Sequence, residues 1–304
     1  MDKETMIEAI KRLKEERQAI ILAHYYQVPE VQDIADVVGD SYKLSVTASK
    51  TDAKTIVFCG VHFMAETAKI LSPEKTVLLP VEDAGCPMAD KITHEALKAY
   101  KEKHPERKVI CYVNSTASVK ALSDVCVTSS NFERVISHFK DEKLLYVPDK
   151  NLGRYVRRTY DLDMDVWPGF CCIHNNLTVE DVAKMRKKHP KAALVVHPEA
   201  PLPVIDKADY VGGTGGLINF VKETDYDHYI VGTEKGLLHQ MRKVAPEKRF
   251  TVLSEGLKCW DMKKTDLESV YHALRDNTHK IEVEKPVMED AKKALELMME
   301  LSEQ

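Results

Sequence analysis

The feature that most limits how this chain can fold is a threefold internal repeat. Three short apolar runs end in polar residues: AIILAHYYQ at 19–27, VICYVNS at 109–115 and LVVHPEA at 194–200. With His24, Tyr112 and His197 aligned, the offsets are 88 and 85 residues. The same two offsets relate Asp36, Asp124 and Asp209; Ser41, Ser129 and Thr214; and Phe63, Asn151 and Gly236. A cysteine closes each copy, Cys86, Cys171 and Cys259 being spaced 85 and then 88 residues apart. Offsets that agree over several landmarks mark a chain built from one supersecondary unit used three times. The units run over 18–103, 104–188 and 189–280, with an N-terminal helix at 1–17 and a C-terminal helix at 281–304.

Each unit holds four short apolar, β-branched-rich runs. Between them lie stretches with helical spacing, such as VPEVQDIADVV, HFMAETAKIL, THEALKAYKEK and KGLLHQMRKV. Strands that are apolar throughout belong to parallel sheets covered on both faces by helices. The expected fold is therefore α/β: three homologous three-layer α/β/α domains, each on a parallel four-stranded sheet, arranged with pseudo-threefold symmetry around a central active site. The opening segment, MDKETMIEAIKRLKEER, reads as an amphipathic helix without a cap, and Pro286 suits the start of the closing helix.

Charge and composition narrow the class. Lys plus Arg number 44 against 48 Asp plus Glu, a net charge of −4, which offers no basic face to nucleic acid or to a membrane surface. No apolar run approaches the ~18 residues that span a bilayer, and the charged N-terminus lacks a signal-peptide core, so a cytoplasmic location is expected. Seven scattered cysteines in such a chain point to metal binding or catalysis rather than a disulfide framework.

Ligands of parallel α/β sheets sit beyond the carboxyl ends of the strands. The residues expected there are His24, Tyr26, Ser41, Tyr112, Asn114, Ser129, His174, His197, Glu199 and Thr214, together with the three repeat-related cysteines. If the three units aim these ends at one axis, Cys86, Cys171 and Cys259 meet near one point. That geometry suits a [4Fe–4S] cluster with three thiolate ligands and one open iron, able to act as a Lewis acid. Cys59, Cys111 and Cys126 lie inside VFCGV, VICYV and DVCVT and read as ordinary core residues. With no CxxC pair a structural zinc site is disfavoured. Cys172 adjoins Cys171, and repeat arithmetic alone does not choose between them. VGGTGG lacks the spacing of a nucleotide-binding loop, but a Gly-rich turn opening a helix can present N–H groups to an anion.

Several segments together resemble the quinolinate synthase family. They are ILAHYYQVPEVQDIADVVGDS, FMAETAKIL, AGCPMAD, CYVNSTASVKALSDVCVTSSN, CCIH, VVHPEAPLPV, KADYVGGTGG and CWDMKK, in family order from about residue 19 to 264. The resemblance implies three α/β domains around one cluster. It implies Cys86, Cys171 and Cys259 as ligands, Cys171 being preferred over Cys172 because it stands in the family's Cys-x-x-His with His174. The implied reaction condenses iminoaspartate with dihydroxyacetone phosphate to quinolinate, phosphate and two waters, in NAD biosynthesis. Carried over by position, His24, Ser41, Ser129 and Thr214 bind substrate phosphate and carboxylates. Tyr112, Asn114, His174 and His197 line the site, and Glu199 with Tyr26 and Tyr112 forms the acid–base set. An upstream aspartate oxidase or dehydrogenase enters as a transient partner that delivers iminoaspartate. Tyr25, Gly213 and Ala200 depart from the family's commoner Asn, Ser and Cys, and none of them removes a proposed ligand. The rival readings are a [4Fe–4S]-dependent hydro-lyase on another small polycarboxylate, and a non-catalytic iron–sulfur sensor.

Overall fold

The structure is a computed structural model describing residues 1–303, and twelve strands among these form three sheets. The first sheet contains β1 (Ala19–His24), β2 (Val37–Gly39), β3 (Thr55–Cys59) and β4 (Thr76–Leu78). The second contains β5 (Lys108–Tyr112), β6 (Val125–Val127), β7 (Leu144–Val147) and β8 (Met164–Val166). The third contains β9 (Ala193–Val196), β10 (Tyr210–Val211), β11 (His228–Gly232) and β12 (Arg249–Val252). Every pairing is parallel, and the orders are β2-β1-β3-β4, β6-β5-β7-β8 and β10-β9-β11-β12. The expected all-parallel four-stranded sheets with flanking helices are thus present in each unit.

The repeat extends to register. Leu22 pairs with Val37, Ile110 with Val125 and Val195 with Tyr210, each set related by the sequence offsets. Each sheet winds outward both ways from its first and third strands, so a crevice opens at their carboxyl ends.

One aspartate per unit fixes the edge of each sheet. The carboxylates of Asp36, Asp124 and Asp209 accept the N–H groups of Ile21, Val109 and Leu194 at 2.8, 2.7 and 2.6 Å. Their own N–H groups donate to the carbonyls of those same residues at 2.9, 3.0 and 2.8 Å. Aspartate is a poor strand residue; here it stands just before the second strand and bonds the first one from both its side chain and its main chain.

The central strands of each sheet are closed to solvent on both faces, as their unbroken apolar runs require, and Ile21, Ile110 and Leu194 are all 0% exposed; the edge strands β2, β8, β10 and β12 are only partly buried. The first and second units share one core. The helix Lys285–Glu303 completes it, inserting Ala291, Ala294, Leu295, Met298 and Leu301. This helix follows the third unit in sequence, yet in space it lies on β6 and on the helices His62–Leu71, Ala117–Lys120 and Phe132–Ser137. The third unit carries separate cores on the two faces of its sheet. The first helix, Lys3–Glu16, corrects one expectation: it is capped, since the Asp2 side chain accepts the Thr5 N–H at 2.9 Å. Among the described residues no helix is long and apolar enough to cross a membrane.

Replacing Asp124 by Ala leaves the Val109 N–H without its side-chain acceptor at the start of β5. The expected cost is about 1–3 kcal/mol, read as a lower urea midpoint at unchanged slope. A loss too small to measure would mean that water replaces the carboxylate.

Candidate active site

The carboxyl ends of β1, β5 and β9 open onto a cavity whose wall draws on all three units. Every residue singled out in the sequence as a site candidate lies on that wall. Two repeat positions recur on this wall: His24 and Tyr112 end β1 and β5 and His197 follows β9, and Tyr26, Asn114 and Glu199 come two residues later.

The two histidines are held alike. Nδ1 of His24 accepts the Tyr26 N–H at 3.1 Å, and Nδ1 of His197 accepts the Glu199 N–H at 3.3 Å. A main-chain donor on Nδ1 leaves the proton of a neutral ring on Nε2. Burial lowers the His24 pKa to about 3, with Lys263 and His197 adding to the effect. Burial likewise lowers His197 to about 4. Both rings are therefore neutral donors near pH 7, and the Nε2–H of His197 donates to Ser129 Oγ at 3.1 Å.

Glu199 is buried, 4% exposed, and its carboxylate accepts from the Tyr112 hydroxyl at 2.7 Å. His174 Nδ1 lies 2.9 Å from its other oxygen. Burial works against this charge, but His197, His174 and the Tyr112 hydroxyl together hold the carboxyl well below its ordinary range. The opposite face of the His174 ring meets Thr233: Nε2 and Oγ1 are 2.9 Å apart, and Oγ1 is 2.6 Å from the Tyr26 hydroxyl. A continuous hydrogen-bonded chain therefore runs Tyr26–Thr233–His174–Glu199–Tyr112, drawing on all three units. Burial first, and then the Glu199 charge, raise both tyrosines well above the ordinary phenol value, so both stay protonated donors.

Ser41 and Thr214 open the helices Ser41–Lys50 and Thr214–Glu223, and Ser129 follows β6. The Thr214 helix starts from Gly213, which offers no capping side chain, so its first-turn N–H groups suit an anion. A Cβ at Gly213 would stand 2.7 Å from the Ser129 carbonyl oxygen, so a side chain there would require the main chain to shift. The amide oxygen of Asn114 is buried without a partner and lies on the wall, an acceptor that suits a ligand's donor. Among the described residues the wall contains Asp40, Glu199 and Glu234 but no Lys or Arg.

Cys86, Cys171 and Cys259 are half-buried on this wall, one from each unit; Cys172 also lines it but is exposed, and Cys59, Cys111 and Cys126 are buried away from it. Burial pushes the Cys86 thiol up to about 12, Cys259 up to about 11 and Cys171 well above its usual value. The ligand atoms of Cys171, His174 and Glu199 all lie within 4.8 Å of one another, a group able to hold a metal.

The profile of the family described as quinolinate synthetase A protein matches residues 8–300. The chain belongs to this family. It is 50% identical to the quinolinate synthase of Alkaliphilus metalliredigens over 302 residues, covering 99% of this chain and 100% of that protein. It is 51% identical to the quinolinate synthase of Clostridium kluyveri over 302 residues, with the same coverage. The quinolinate synthase of Caldicellulosiruptor bescii is 48% identical, again over 302 residues, 99% of this chain and all of that protein.

Thr233 and Asn151 are members of this network that the sequence reading did not assign. Thr233 has Gly60 and Pro148 as its repeat equivalents, so the repeat gave it no hydroxyl to match. Asn151, a repeat landmark without a role, donates to the Glu199 carbonyl at 2.9 Å. Only its position, next to the third strand of its unit, could have flagged it.

The histidines predict a pH dependence. Their folded pKa values lie below the ordinary 6.5, so the unfolded chain binds more protons between 6.5 and about 4. Stability is complete above 6.5 and falls as the pH drops toward 4. Urea midpoints measured over this range will decline more steeply for the parent chain than for His24→Asn, and equal slopes would contradict the assignment.

Proposed function

We propose that this chain is a quinolinate synthase. It condenses iminoaspartate with dihydroxyacetone phosphate and releases quinolinate, phosphate and two waters. The reading is carried by one observation: three repeat-related thiols and the hydrogen-bonded chain from Tyr26 to Tyr112 line the same cavity, in a member of this family. The alternative donor set, a single ion on Cys171, His174 and Glu199, is less suitable. Its nitrogen and carboxylate already satisfy each other at 2.9 Å, and it leaves Cys86 and Cys259 on the wall without a role.

The thiols fit a [4Fe–4S] cluster held by Cys86, Cys171 and Cys259. Soft thiolates from three separate loops suit a polynuclear iron–sulfur group, and raised thiol pKa values mean that binding expels a proton from each. When bound, the cluster supplies an open iron that acts as a Lewis acid toward a substrate oxygen or nitrogen.

The remaining chemistry belongs to side chains. Enolisation, imine formation and dehydration all move protons between carbon, nitrogen and oxygen. Glu199, ionised and held against Tyr112, accepts a proton; Tyr112 and Tyr26, kept neutral, donate one. Thr233 and His174 join the two ends of this set, so a proton taken at one end is returned at the other. His24 and His197 offer neutral N–H donors, and Ser41, Ser129 and Thr214 offer hydroxyls at the strand ends and helix starts. Together they bind phosphate and carboxylates without lysine or arginine. Asn114 places its unpaired amide oxygen toward a substrate donor. The reaction is placed in the cytoplasm, with iminoaspartate delivered by an aspartate oxidase or dehydrogenase.

Anaerobic reconstitution with iron and sulfide, followed by a quinolinate assay on the two substrates, tests the proposal. Cys86→Ser, Cys171→Ser and Cys259→Ser are expected to abolish activity, whereas Cys172→Ser retains it. Full activity in cluster-free protein or in Cys86→Ser would refute the ligand set. Glu199→Gln is expected to lower kcat about 10²–10⁴-fold. Thr233→Val cuts the chain between Tyr26 and His174 and is expected to lower kcat with little change in KM.

A further inference from the structure

The three cysteine loops are tied to their sheets in the same way, but two of them have an additional anchor. In each unit the residue after the third strand's end loop donates its N–H to a carbonyl two residues before the cysteine. These bonds are His62 to Ala84 at 2.8 Å, Lys150 to Gly169 at 2.7 Å and Lys235 to Leu257 at 2.9 Å. The residue just before each donor differs: Val61 in the first unit, Asp149 in the second and Glu234 in the third. All three are buried, and both carboxylates are 0% exposed.

Each carboxylate accepts the N–H of the cysteine itself. Asp149 Oδ2 takes the Cys171 N–H at 3.0 Å while Oδ1 takes the Leu152 N–H at 2.7 Å. Glu234 Oε1 takes the Cys259 N–H at 3.2 Å while Oε2 takes the Gly236 N–H at 2.6 Å. Glu234 is also ion-paired with Lys263 at 3.0 Å, and Lys263 donates to the Tyr26 carbonyl in the first unit. Valine offers no acceptor, and the Cys86 N–H has no protein acceptor among the described residues.

We propose that Asp149 and Glu234 are positioning residues that fix the main chain at Cys171 and Cys259 before a cluster binds, and that Cys86 is the loosest of the three ligands. This rests on the cluster reading above and extends it to the way the site is held. Buried groups that accept from a ligand's backbone act as outer-shell supports, which govern how long a metal group is retained. The two oxygens of each carboxylate serve two different N–H groups. An amide keeps one acceptor and turns a donor on the other, so it half-preserves the support.

Two measurements test this. Hydrogen exchange on the cluster-free chain is expected to show the Cys171 and Cys259 amides well protected and the Cys86 amide fast. Asp149→Ala should release the first of the protected amides and Glu234→Ala the second, while β5 and β9 keep their protection. In the loaded protein, kept anaerobic, a chelator is expected to remove iron about 10–100-fold faster from Asp149→Ala and Glu234→Ala. Asp149→Asn should fall between them and the parent, and it supplies the measurement if the alanine variants do not fold. Asp124→Ala, which weakens a sheet edge without touching a cysteine loop, should match the parent within about twofold on the same scale. Unchanged iron loss in all the carboxylate variants overturns the proposal, as does equal protection of the three cysteine amides, or acceleration that comes with lost protection throughout a sheet. A parent chain that takes up no iron and sulfide overturns the cluster reading instead, and the exchange pattern then judges the positioning alone.

Discussion

Glu199 is a charge placed where water does not reach, and much of the site's arrangement follows from the need to solvate it with protein. A buried carboxylate is costly unless strong donors replace its hydration. Those donors come from the neighbouring unit: the Tyr112 hydroxyl, His174 Nδ1 and, on the main-chain carbonyl, Asn151. The second and third units thus meet at this charge, as well as at the ion pair of Arg158 with Asp206. The rings beside it are consistent with this. His174 stacks on His197 with centroids 5.0 Å apart, and burial keeps the His197 ring neutral despite the pull of the Glu199 charge.

Repetition explains how such a centre forms from distant parts of the chain. Once β1, β5 and β9 are placed alike, residues 24, 112 and 197 are presented alike, and so are residues 26, 114 and 199. The reversed spacing of the cysteines, 85 then 88 rather than 88 then 85, also has a structural cause. Register pairs Val57 with Leu78 and Ile230 with Thr251, but Leu145 with Asp165, one residue sooner. The second unit then runs from Asp165 to Cys171, whereas the others run from Leu78 to Cys86 and from Thr251 to Cys259. A shorter path in one unit still brings its cysteine to the shared wall.

What could be read from the sequence follows the same logic. Strand interiors, the three-sheet pattern and the strand-end residues were legible because burial on both faces leaves unbroken apolar runs and the repeat multiplies each signal. Asp36, Asp124 and Asp209 stood out as landmarks, although their bonds to the first strand needed coordinates. Thr233, Asp149 and Glu234 were hidden because their repeat partners are chemically unlike them: Gly60 and Pro148 in one case, Val61 in the other. The placement of the last helix was illegible for another reason. An amphipathic pattern specifies that a face will be buried, and it does not say against which unit. Asp2 went unread as a cap because its role depends on one short bond to Thr5 rather than on any periodic signal.

The scaffold is threefold but the chemistry is not, and the departure is concentrated at one ring of positions. Tyr26, Asn114 and Glu199 occupy equivalent places, yet two can exchange protons and the third only accepts or donates a hydrogen bond. The hydrogen-bonded chain joins the two proton-active members through Thr233 and His174 and leaves Asn114 outside it, with its amide oxygen unpaired. On the function proposed, the linked groups move protons and Asn114 orients what is bound. The absence of lysine and arginine from the wall, among the described residues, fits this division. A cation beside Glu199 would add a further partner to a carboxylate that Tyr112 and His174 already hold below its ordinary range, whereas neutral N–H and O–H dipoles in a poorly solvated cavity can hold anions without doing so.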